Sequence, residues 1–226
     1  MNPLIEKARQ EGRNLLEPEA LTLLQECGIP VPRWALTATE EEALEAARTI
    51  GFPVVLKIVS KDILHKSDVG GVKVGVEDEQ ALRQAYRAIQ DSVARHCPTA
   101  QVEGILVEDC SPSGLECIVG MTRDPQLGAA LMFGLGGVFV EVLRDVAFQL
   151  VPICEEEAHE MVTSIKGAKL LTGYRGQAPR DLAAIEDLLQ KVSSFVQAHP
   201  EINELDINPV LVYEHGLRVV DARVLL

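Results

Sequence analysis

Apolar residues recur at helical spacing from Pro18 to Cys27, with proline at the start and Gly28 at the end, which predicts a capped helix. Pro30 and Pro32 then force an extended stretch. Thr39, followed by Glu40 to Glu42, opens a second helix that runs to Ile50 and stops at Gly51. The run Pro53 to Val59 is apolar except for Lys57 and predicts a buried strand. A loop from Ser60 to Val69 leads to a strand from Val72 to Val76, and Asp78 caps a long helix from about Glu79 to Arg95. Val102 to Asp109, Leu115 to Thr122 and Leu127 to Phe133 read as three further strands, separated by turn-forming residues at 111–114 and 123–125. The last third predicts a strand near Ala147 to Val151, a helix from Glu155 and a longer one from Arg180 to Ala198. A closing hairpin, Leu205 to Tyr213 with Leu217 to Val224, turns at Glu214-His215-Gly216. The helix-rich half meets the strand-rich half at the strand Val102 to Asp109, and no internal repeat or low-complexity segment is present.

Composition agrees with a mixed α/β fold: 47% of the 226 residues are hydrophobic but only 4% are aromatic, so Val, Leu, Ile and Ala build the core. With 34 acidic against 21 basic residues and a net charge of −13, a nucleic-acid partner is excluded as the first expectation. The five cysteines include no C-x-x-C pair, which argues against a disulfide framework or zinc cluster. No apolar leader and no 18-residue apolar run occur, so a cytoplasmic protein with no membrane partner is expected.

Two windows depart from the acidic average. Lys57, Lys61, Lys66 and Lys73 are accompanied by only Asp62 and Asp68, and Lys166, Lys169, Arg175 and Arg180 by no acid at all. Such islands suit small phosphorylated ligands, although solvated loops and helix ends explain either window alone equally well. The first window also holds His65, and Gly70-Gly71 whose amides can form an anion-binding nest. In Asp206-Ile207-Asn208-Pro209, residues 206 and 208 point to one face of a strand about 6–7 Å apart, which suits a hard cation completed by phosphate and water. Asp221 lies within a residue or two of Asn208 across the hairpin. No Walker loop, dinucleotide fingerprint, hydrolase elbow or kinase signature is present.

The stretches Leu64-His65-Lys66-Ser67-Asp68-Val69-Gly70-Gly71-Val72, Gly136 to Glu141, Leu170 to Gly176 and Asp206 to Pro209 resemble those of an ATP-grasp family. That family is the nucleotide-binding β subunits of ADP-forming acyl-CoA synthetases, relatives of succinyl-CoA synthetase. The resemblance implies an α+β fold of two lobes with a nucleotide cleft between them: residues 1–107 with the N-terminal helices, and residues 108–226 carrying the metal-ligand hairpin. It further implies that His65 becomes a transient phosphohistidine, that Lys57 contacts nucleotide phosphates, and that Glu108 and Glu116 lie near adenine and ribose. Asp206, Asn208 and Asp221 match Mg²⁺ ligands, although succinyl-CoA synthetase has Glu at the first position. ATP or ADP and Mg²⁺ are the implied cofactors, and a CoA-binding α subunit or fused domain, in an α2β2 assembly, is the implied partner. A stand-alone ATP-grasp carboxylate ligase and a non-catalytic nucleotide-binding regulatory module are the alternatives. Glu141 and Arg175 sit in family motifs without an assigned role.

Overall fold

A computed structural model describes residues 2–137 and 143–226, which divide into two compact units: residues 32–112, and residues 2–31 together with the described part of 113–226. The unit 32–112 is a four-stranded antiparallel sheet in the order β1 (Trp34–Thr37), β4 (Val102–Asp109), β2 (Val54–Ser60) and β3 (Val72–Val76). Helices α3 (Glu40–Ile50) and α4 (Glu79–His96) bury one face of it, where Ala43, Leu44, Leu82 and Ile89 meet Leu56, Ile58, Ile105 and Val107. Both helices begin as the sequence predicts, with Thr39 Oγ1 accepting from the Glu42 amide and Asp78 Oδ1 from the Ala81 amide. The opposite face of β2 and β4, carrying Val55, Lys57, Leu106 and Glu108, is also buried.

The other unit has a sheet ordered β10 (Ala222–Leu225), β8 (Glu204–Val212), β5 (Leu115–Asp124), β6 (Gly128–Leu135) and β7 (Val146–Leu150), with β9 (Leu217–Val219) also paired to β8. Helices α5 (Glu155–Ser164) and α7 (Leu182–Ala198) pack on the face that presents Val119, Leu131, Phe133 and Ile207. A short helix, α6 (Ala168–Leu171), lies between them in sequence. The N-terminal helices α1 (Pro3–Gln10) and α2 (Glu17–Glu26) belong here as well: α2 contacts β10, and the Leu15 amide donates to the Val224 carbonyl at 3.3 Å.

This division differs from the expected one at 107/108. That boundary falls inside β4, which is paired from Val102 to Asp109 with β2 and along part of its length with β1, so no unit can end within it. The N-terminal helices fall with the second half, where α2 packs against β10. Among the described residues, no helix is long and apolar enough to cross a membrane.

Candidate functional site

Lys57 and Glu108 sit diagonally on one face of β2 and β4, since Val55 pairs with Glu108 and Lys57 with Leu106. Lys57 Nζ lies 2.9 Å from Glu108 Oε2, with the side chains 5% and 1% exposed. A charge removed from water this completely needs its counter-ion, so each residue fixes the other's position. Sequence reasoning treated them separately and missed the pair; their shared strand parity and opposite charge were the available signal.

His65 lies exposed in the loop 61–71. The expected nest at Gly70 and Gly71 is not formed, because the Gly71 amide donates to the Lys66 carbonyl at 2.7 Å and the Gly70 amide to the Ser67 carbonyl at 3.1 Å. The glycines serve the loop instead. A Cβ on Gly71 would lie 2.5 Å from Cγ2 of Ile58, and Gly70 has φ +68° with Ser92 against it, so neither position admits a side chain without displacement.

The hairpin carries the predicted metal ligands close together. The Asn208 amide donates to the Asp221 carbonyl at 3.1 Å, and Asp206 pairs with Arg223 in the β8–β10 register. Asp206 points away from the buried Leu205 and Ile207, and Arg223 Nη2 comes within 3.8 Å of its Oδ2. Partial burial raises the Asp206 pKa; Arg223 opposes the rise, whereas Asp221 and Glu204 add to it. Crowded oxygen donors of this kind fit a hard divalent cation. Among the described residues no cluster of three or more His, Cys, Asp or Glu is arranged for a metal, so two carboxylates, one amide oxygen and outside ligands make up the fitting set. Arg223, the cation opposite Asp206, went unnoticed in the sequence because strand register was open there.

Asn208 and Pro209, joined by a cis peptide, together oppose Ile118 of β5, a bulge between the Val119↔Ile207 and Cys117↔Val210 pairs. Glu116 is exposed on β5 and stands against the glycine pair: a Cβ on Gly136 would lie 2.9 Å from that of Glu116, and the Gly136 amide donates to the Glu116 carbonyl at 2.7 Å. Glu141 lies outside the described residues. Within the unit 32–112 the structure brings together Lys57 and Glu108, and within the other unit Asp206, Asn208 and Asp221.

An ATP-grasp domain family matches residues 7–226. The chain is 47% identical over 223 residues to the β subunit of ADP-forming acetate–CoA ligase I from Pyrococcus furiosus, covering 99% of this chain and 96% of the relative. It resembles dinucleotide-forming acetyl-coenzyme A synthetase 1 of Ca. Korarchaeum cryptofilum, solved with coenzyme A, Ca-AMPCP and HgCl⁺, at TM-score 0.97 and 50% identity over 99% of this chain and 98% of that one. A second structure of that enzyme, with coenzyme A, Mg-AMPPCP and a phosphohistidine segment pointing towards the nucleotide-binding site, gives TM-score 0.87 and 46% identity over the same shares. The chain belongs to the ATP-grasp family and, within it, to the β subunits of the ADP-forming acyl-CoA synthetases.

Proposed function

We propose that this chain is the nucleotide-binding subunit of an ADP-forming acyl-CoA synthetase, working in the cytoplasm with a CoA-binding α subunit in an α2β2 assembly. The overall reaction is acyl-CoA + ADP + phosphate ⇌ acid + CoA + ATP. The observation that carries the reading is the exposed, loop-borne imidazole of His65, in a chain similar along its length to a synthetase solved with a phosphohistidine segment. In this reading an acyl phosphate made on the α subunit passes its phosphoryl group to a His65 ring nitrogen. The nitrogen–phosphorus bond then breaks as a terminal phosphate oxygen of ADP attacks, which gives ATP and returns the free imidazole.

Lys57, fixed by Glu108, supplies positive charge toward the nucleotide phosphates, and a charge already in place costs no reorganisation during transfer. Glu108 lines the adenine subsite and Glu116 the ribose subsite. Gly70 and Gly71 shape the loop that carries His65. Asp206, Asn208 and Asp221 hold Mg²⁺, which when bound offsets charge on the phosphates.

Intact-mass spectrometry after incubation with ATP-Mg²⁺, under conditions that preserve phosphoramidates, tests the reading. One acid-labile phosphoryl adduct on the wild type and none on His65→Ala is the expected result. An unlabelled wild type, or a fully labelled His65→Ala, overturns it.

A further inference from the structure

Several arginines of this acidic chain are compensated locally: Arg13, Arg48, Arg83 and Arg87 each reach a glutamate. Arg144, Lys166, Lys169 and Arg175 are different. All four are exposed, and among the described residues none of them forms an ion pair. Arg144 and Arg175 are also the two non-glycine residues with positive φ among the described residues, at 48° and 51°, an uncommon and costly backbone state for bulky side chains.

Buried Asp145 joins the segments that carry these cations. Its Oδ1 accepts from the Lys166 amide at 2.7 Å and its Oδ2 from the Gly167 amide at 2.6 Å, which ties the start of the basic segment to the residue beside Arg144. The Arg180 amide donates to the Leu171 carbonyl at 2.7 Å and the Gln177 amide to the Tyr174 carbonyl at 3.1 Å, so the loop after α6 closes on itself. At its tip the Arg175 guanidinium lies 5.3 Å from the Tyr174 ring centroid. The register brings this surface to the end of the sheet that carries Asn208: Val146 pairs with Gly134, Gly134 with Ile118, and Ile118 faces the bulge at Asn208-Pro209.

We propose that Arg144, Lys166, Lys169 and Arg175 form a receiving surface for a phosphoryl dianion, held in place by Asp145 and separate from the nucleotide's own phosphates. A guanidinium fork with ammonium point charges suits a compact dianion, and the chain's overall net charge of −13 keeps extended polyanions away. The inference rests on the phosphoryl-transfer reading, but its test does not depend on transfer.

Titration of the full chain with inorganic phosphate and, separately, with acetyl phosphate, followed by ³¹P NMR in the presence of saturating ADP-Mg²⁺, distinguishes a free-phosphate from an acyl-phosphate source by which of the two binds more tightly. Replacing two of the four cations in Lys166→Gln/Arg175→Gln weakens binding about tenfold or more, as expected for lost charge-assisted contacts. His65→Ala binds as the wild type does, so failure of the histidine carrier and failure of this surface are separable. Equal affinity in the double variant, competition by ADP-Mg²⁺, or binding no tighter than that of acetate overturns the proposal.

Discussion

Lys57–Glu108 and Arg223–Asp206 follow one plan, a cation and a carboxylate on the same face of adjacent antiparallel strands, but they sit in different solvents. The first pair is 2.9 Å apart and nearly sealed from water; the second is 3.8 Å apart with side chains 38% and 41% exposed. In the dry pair, losing one partner strands a charge in low dielectric, so the pair holds itself in place. In the wet pair water replaces either partner at little cost, so Asp206 remains available to a competing cation. The same chemistry thus gives a fixed fitting in the unit 32–112 and an exchangeable one in the other unit.

The comparison breaks first, and with the largest effect, at the dry pair. Glu108→Gln is expected to lower stability by about 3–5 kcal/mol, with Lys57→Met/Glu108→Leu recovering most of the loss because no charge is then buried. Urea unfolding of both variants checks this, and a double variant as unstable as the single one would contradict it.

The wet hairpin is held instead by a carboxylate on backbone amides. Asp181 caps α7 through the Ala184 amide at 3.0 Å and also accepts from the Gly216 amide at 2.7 Å in the β8–β9 turn. Those two amides, Gly216 first, hold its pKa below the ordinary 3.8. Because the folded pKa is depressed, the stabilisation is present above the unfolded value and is lost as pH falls through the folded one. Asp181→Ala is expected to cost about 1 kcal/mol at neutral pH. The gap from wild type should close in the acid limb of a stability–pH profile; a gap independent of pH contradicts the assignment.

The smallest effect belongs to Arg223→Gln, expected to change stability by no more than about 1 kcal/mol. Mn²⁺ binding without nucleotide, followed by EPR, should tighten once the competing guanidinium is gone. A loss of stability matching that of Glu108→Gln would remove the distinction between the two pairs.

Much of this was legible in the residues. The strand Val102–Asp109 and the helices after Thr39 and Asp78 stand where periodicity and caps put them. The family resemblance was carried by short motifs in order along the chain, and the comparisons bear it out. Long-range pairing was not legible. Strand periodicity says that Lys57 is buried, but not that Glu108, on a strand 51 residues away, neutralises it. The packing of α2 on β10 joins opposite ends of the sequence, which no local pattern encodes. The glycine pair at 70–71 pointed to anion binding by composition, whereas the Lys66 and Ser67 carbonyls claim those amides as the loop closes. The segments α1, β1 and α6 escaped notice because each is short.

The bulge at Asn208-Pro209 also resets the reading frame of β8. Before it the odd-numbered Leu205 and Ile207 face inward; after it the even-numbered Val210 and Val212 do. One inserted residue thus keeps Leu205, Ile207, Val210 and Val212 on one face of the sheet and still turns Asn208 out to solvent. Deleting either residue of the bulge would leave the other alone opposite Ile118 and restore regular alternation with Val210 and Val212 still inward, so the extra residue serves the surface that Asn208 presents and not the core beneath it.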